Sequence, residues 1–145
     1  QCLIWKKSSL VMGRQDYHWM HEPILYGWKP GAAHKWTADR KQTTILEFDK
    51  PSSNKVHPTM KPVDLIQYCI KNNSHNHDLV TDYFLGSGST LIACQKTRRK
   101  CYGMEIDPQY CDVIISRWSE FTGKDDLLLN GKAFKWSERK MKKAA

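Results

Sequence analysis

The stretch Asp82-Tyr83-Phe84-Leu85-Gly86-Ser87-Gly88-Ser89-Thr90 constrains the fold more than any other part of the chain. Leu79-Val80 before it leads into a buried strand, and Leu91-Ile92-Ala93 after it opens a helix with an apolar face. A strand that turns through Gly-x-Gly into a helix lets backbone N–H groups approach a ligand closely, because glycine has no Cβ in the way. About twenty residues further on, Cys101-Tyr102-Gly103-Met104-Glu105 reads as a second strand ending in an acid; that spacing suits a carboxylate accepting hydrogen bonds from ribose hydroxyls. Three readings compete for the turn. A Walker-type phosphate loop needs Gly-Lys-Ser/Thr, whereas Gly88 is followed by Ser89 and Thr90. A dinucleotide fingerprint needs a third glycine, and the following helix has none. What remains is a nucleoside ligand without a pyrophosphate.

His57-Pro58-Thr59-Met60-Lys61-Pro62 lies one helix upstream of the turn, and Glu105-Ile106-Asp107-Pro108-Gln109-Tyr110 follows it. With Asp82-x-Phe84-x-Gly86-Ser87-Gly88 these motifs, in this order, resemble the beta-class DNA amino-methyltransferases of bacteria and phages, which use S-adenosylmethionine. In that arrangement the catalytic half comes first and the cofactor half last. Tyr83 departs from the pattern, standing where the family usually has proline. The resemblance implies an α/β fold: a Rossmann-like class I methyltransferase sheet with helices on both faces. Residues 1–28 would be late catalytic-side antiparallel strands, 29–56 a short target-recognition segment, 57–130 the S-adenosylmethionine-binding half and 131–145 a basic tail.

The cofactor-binding set expected from the residues and the resemblance together is as follows. Glu105 takes the ribose hydroxyls. Gly86 and Gly88 let the methionine end approach, within a turn that includes Phe84 and Ser87. Asp82 attracts the ammonium or sulfonium charge, or fixes the loop. Ser89 and Thr90 meet the carboxylate, or cap the helix. By resemblance, Thr59 and Lys61 fold back over the amino acid end, and Asp107 with Pro108 borders the adenine.

The family's Asp/Ser-Pro-Pro-Tyr/Phe motif holds the target amine, yet no Pro-Pro pair occurs in the sequence. The beta arrangement places that motif before the segments seen here. The expectation is therefore no catalytic residue in this chain, which reads as the C-terminal part of a larger methyltransferase, or one half of a split enzyme, inactive alone. The sheet would be incomplete, lacking the strands that carry the motif, and the N-terminal catalytic portion would be supplied in cis or in trans. The implied reaction transfers a methyl group to an exocyclic amine of double-stranded DNA, adenine N6 before cytosine N4. A catalytically inactive module that binds DNA and cofactor is the alternative; a homodimer is compatible with either.

Composition agrees where it can speak. A formal net charge of +8 fits a polyanionic partner. Five cysteines, an odd number without a Cys-x-x-Cys pair, read as reduced packing residues of a cytoplasmic protein; the resemblance implies a bacterial cell or a phage-infected host. His75 and His77 lack a ligand cluster, so no metal is expected, and no apolar run approaches a membrane span.

Along the chain, residues 2–6 read as a strand, and Pro23 marks the start or edge of a second, antiparallel to it. Tyr17, Trp19, Tyr26 and Trp28 either line a pocket for an extruded base or pack the sheet. Lys35, Trp36, Arg40 and Lys41 mix bases with an aromatic, as a DNA-binding surface would, around a short strand at 45–48. Helices are predicted at 62–71, 89–96 and 107–121, strands at 79–84 and 100–105, and a third parallel strand at Leu127-Leu128-Leu129.

Overall fold

One helix, α1 (Val63–Asn73), is packed from two sides. Leu65, Tyr68 and Cys69, spaced to share a face, meet Trp5 and Leu46. Val63, Ile66 and Ile70 meet Ala93, Cys94, Val80 and Cys101. Asp64 in its first turn and Lys71 in its last suit the helix dipole. The computed structural model describes residues 1–49 and 60–139.

On the first side lie β1 (Cys2–Val11), β2 (Trp19–Leu25) and β3 (Ile45–Glu47), in the order β2-β1-β3. β1 and β2 are antiparallel, as expected, with Trp5 opposite Glu22, while β3 runs parallel to β1. Trp5 is 1% exposed, and its Nε1 donates to the Phe48 carbonyl at 2.8 Å. Two boundaries differ from expectation. β1 runs on to Val11 rather than ending at Lys6, because β2 supplies a ladder that the polar Lys6–Ser9 pattern does not announce. Pro23 falls inside β2, opposite Ile4, rather than at its start, while β2 is an edge strand among the described residues, the other position expected for it. Gln1 and Tyr26 exchange N–H···O bonds of 2.8 and 2.9 Å, so by alternation Pro23 faces away from β1, where its missing N–H breaks no bond with β1.

On the other side, β4 (Leu79–Asp82), α2 (Ser89–Thr97), β5 (Lys100–Gly103) and α3 (Pro108–Thr122) follow the predicted order, and β4 pairs in parallel with β5. Val80 and Cys101 pack toward the helices, while Leu79 and Tyr102 on the opposite face are 52% and 67% exposed. Asp107 caps α3, accepting from Gln109 N at 2.8 Å, and Gly123 ends it at φ 69°. The predicted third parallel strand is overturned. β6 (Asp126–Leu129) instead forms an antiparallel hairpin with β7 (Lys132–Lys135). Asn130 and Gly131, at φ 51° and 78°, make its turn, the left-handed pair that a two-residue hairpin favours. Two described residues of the basic tail are anchored on α3. Trp136 is buried and bonded to Ser116 Oγ at 3.1 Å, and Arg139 pairs with Asp112 at 3.0 Å.

Among the described residues the strands form three separate sheets. Between β2 and β4, over α1, lies a cleft of about 540 Å³, with Trp5, Glu22 and Ile24 on one side and Leu79 to Asp82 on the other.

Candidate functional site

The turn from β4 to α2 is held by its own side chains. Asp82 accepts from Phe84 N at 3.0 Å and from Thr90 Oγ1 at 2.6 Å, bonds that join the end of β4 to the turn and to α2. Ser89 Oγ donates to the Lys61 carbonyl at 2.9 Å, tying the start of α2 to the segment before α1. Neither Ser89 nor Thr90 caps the helix; Gly88 occupies that position with no side chain to offer. Arg117, half-buried on α3, donates to the Ser87 carbonyl.

Gly88 is required twice over. Its φ is +81°, and a Cβ there would lie 3.1 Å from Ile114 Cγ2. We expect Gly88→Ala to cost about 1–2 kcal/mol from the left-handed backbone alone, read as a lower urea midpoint. An unchanged midpoint would show that the turn relaxes freely.

Glu105 reaches across to the same turn. Its Oε2 accepts from Gly86 N at 2.7 Å and its Oε1 from Asp107 N at 3.0 Å. Both carboxylate oxygens are thereby fixed between the glycine turn and the start of α3. A recess of about 210 Å³ is bounded by Lys61, Asp82, Phe84, Gly86, Ser87 and Thr90. Glu105, Ile106, Pro108, Leu128 and Trp136 border an apolar groove of about 320 Å³. Phe84 and Ile106 are 91% and 98% exposed beside these spaces.

Lys61 sits where the cleft and the recess meet. Its Nζ lies 3.0 Å from Glu22 Oε2, and the other oxygen of Glu22 lies 2.8 Å from Lys7 Nζ. Burial alone would raise the Glu22 pKa; hydrogen bonds from both lysines outweigh it and hold the carboxyl below its usual range. Sequence reasoning assigned neither Glu22 nor Lys7 to the site. Their pairing is long-range, and only a lysine at an otherwise buried strand position could have hinted at it. Thr59 lies outside the described residues, as do positions 50–56 of the segment expected to recognise the target.

Of the expected DNA-binding residues, Lys35 pairs with Asp78 at 3.1 Å, and neighbouring Thr37 bonds the Asn72 carbonyl. The first contact lies just before β4, at its end remote from the glycine turn, and the second at the C-terminal end of α1. Trp36 donates to the Asp39 carbonyl, and Arg40 and Lys41 are exposed. Tyr17 is 91% exposed; Trp19 and Trp28, 55% and 53% exposed, pack edge-on against His21 and Tyr26, and Tyr26 bonds Asn73 at 3.0 Å. All five cysteines are free thiols, and no metal-binding cluster occurs among the described residues.

A parallel strand–glycine turn–helix–strand unit, with an acid from the second strand bonded to the turn, is the Rossmann-like α/β core of class I methyltransferases. The chain belongs to the DNA methylase family of N6/N4 type, whose profile matches residues 1–116. It is 29% identical to the type II methyltransferase M.Cfr9I of Citrobacter freundii over 66% of its length, and 35% identical to M2.MboI of Moraxella bovis over 70%. It spans only 32% and 39% of those relatives. Among solved structures, the M1.HpyAVI–SAM complex superposes with a TM-score of 0.71 at 25% identity, covering 81% of this chain and 61% of that one. The cytosine-N4-specific PvuII DNA methyltransferase superposes at 0.65 with 18% identity, covering 85% and 54%.

Proposed function

We propose that this chain is the S-adenosylmethionine-holding portion of an enzyme that methylates an exocyclic amine of double-stranded DNA, adenine N6 in preference to cytosine N4. The observation that carries the reading is Glu105. Its two oxygens are fixed by backbone N–H groups of the turn and of the start of α3; Gly86, which it holds, lines the recess, and Glu105 itself lines the apolar groove. That order of chemistry fits the ligand. The amino acid end lies by Lys61 and the Gly86–Thr90 turn, the ribose on Glu105, and the adenine by Ile106, Asp107 and Pro108. The bound group supplies an electrophilic methyl; this chain's residues orient it and keep its ribose from turning. The open edge of β4 and the cleft beside it support a role for additional strands bearing the Asp/Ser-Pro-Pro-Tyr/Phe motif, in cis or in trans.

Calorimetric titration with S-adenosylhomocysteine and its 2′,3′-dideoxy analogue tests the ribose assignment. The wild-type chain should prefer the hydroxylated ligand about tenfold or more, and Glu105→Ala should reduce that preference to near unity. Loss of the loop alone would weaken both ligands equally. Heat from neither ligand, in a folded chain, would remove the cofactor reading. Adding a polypeptide that carries the catalytic motif, with adenine-only and cytosine-only target duplexes, then separates the two acceptors. A pure binding module stays silent on both.

A further inference from the structure

The β1–β2 hairpin leaves the core at a pinned root. Lys7 is buried and paired with Glu22, which also holds Lys61; beyond that root every residue from Ser8 to His21 is exposed. The register breaks at the same place. Lys6 pairs with His21 and Val11 with Trp19, so Lys7–Leu10 face Met20 alone. An insertion of this kind bends a ribbon away from its sheet. The arm is not an ordinary polar loop, since Met12, Tyr17 and Trp19 are 79%, 91% and 55% exposed. A run of exposed apolar groups on one projection marks a contact surface.

Its direction follows from α1. Tyr26, opposite Gln1, bonds Asn73 at the C-terminal end of the helix, whereas Glu22, opposite Trp5, bonds Lys61 just before its N-terminal end. β4 advances the same way. Asp78, just before it, bonds His75 N beyond the end of α1, while Ser89, after it, bonds the Lys61 carbonyl. β1 therefore points toward the end of the sheet that carries the glycine turn, and the arm projects beyond that end.

The structure assigns the arm Ser8–His21 as the element that enters the major groove of duplex DNA beside the Gly86–Thr90 turn, with Arg14 and Gln15 at its tip meeting base edges. The assignment rests on the reading of this chain as part of a DNA methyltransferase. A two-stranded ribbon fits a groove about 12 Å wide, and Arg and Gln side chains pair bidentately with guanine and adenine there. Arg14 has no ion-pair partner among the described residues. Arg14 and Asp16 balance each other, so the arm's own fixed charge is neutral; the net +8 of the chain supplies the attraction to phosphates. A second copy of the chain docking on the same apolar groups is the competing occupant. The position of the arm beyond the candidate transfer site favours DNA.

The test is binding of a labelled random-sequence duplex by anisotropy, with dimethyl sulfate protection at guanine N7, which lies in the major groove. Sedimentation, melting and S-adenosylhomocysteine titration run beside it. Arg14→Ala/Gln15→Ala should weaken duplex binding about tenfold and lose N7 protection, with melting and nucleoside binding unchanged. Arg40→Ala/Lys41→Ala, on the loop, should keep N7 protection and at most lower the salt slope by about one to two. Duplex binding unchanged in the arm variant, unprotected N7 positions in the wild type, or a dimer that Trp19→Ser dissociates without changing DNA binding would each overturn the assignment. A wild-type chain that binds S-adenosylhomocysteine but no duplex overturns the arm alone. One that binds neither takes the cofactor reading with it.

Discussion

Trp5→Ala should destabilise the chain by about 3–5 kcal/mol, the range for emptying a large buried aromatic site. Trp5 is 1% exposed and packs with Leu46 and Leu65 where the β2-β1-β3 sheet meets α1. The indole also satisfies the Phe48 carbonyl at 2.8 Å, so truncation removes packing and leaves an acceptor without its donor. Urea unfolding followed by far-UV circular dichroism reads the loss directly. Trp5→Phe separates the two contributions, since it keeps most of the volume and drops only the hydrogen bond. A midpoint shift in Trp5→Ala no larger than in Trp5→Phe would mean that the sheet collapses into the space and that the junction is not well packed.

Glu22→Ala should cost about 3 kcal/mol, near the lower end for breaking a buried ion pair, because Glu22 itself is 37% exposed. The loss arises chiefly at Lys7, whose side chain is 6% exposed and would keep its charge without a counter-ion. Lys7→Met/Glu22→Gln, which removes both charges, should recover much of that loss. The pH dependence has a definite sign. The Glu22 carboxyl is held below its ordinary value of 4.5 in the folded chain, so its contribution is present above about pH 4.5 and fades as pH falls through the lower folded-state pKa. The Glu22→Gln variant should lose that acid-side dependence. Equal stability of Glu22→Ala and wild type at neutral pH would show that water reaches Lys7 after all.

Local signals made half of this molecule readable. The Gly-x-Gly turn, the Asp107-Pro108 helix start and the Thr122-Gly123 stop each depend on a few adjacent residues, and β4, α2, β5 and α3 lie where those residues put them. The family and its fold followed from the same motifs. Non-local pairings were not legible. β3 joins β1 in parallel across a long loop, and β1 extends to Val11 because β2 is there to pair with it. The β6–β7 hairpin is a different kind of miss. Asn130-Gly131 between two short strands is a strong hairpin signal, overshadowed by the expectation that a third β-α-β step would follow. At the site, the expected set held Glu105, Asp82 and, by resemblance, Lys61, but not the acid from β2 that Lys61 holds. That contact depends on α1 lying between two sheets, which no spacing in the sequence encodes.

That shared helix has a consequence for how the chain comes apart. Leu65 and Ile66 are adjacent in sequence yet belong to different cores, one under Trp5 and one under Val80. Unfolding of α1 strips the apolar cover from both sheets at once, so the two halves should open as one unit whenever the helix does. In native-state hydrogen exchange, the amides of β1 and β4 would then share a single opening free energy. The β6–β7 hairpin, which packs on α3 instead, is free to exchange earlier.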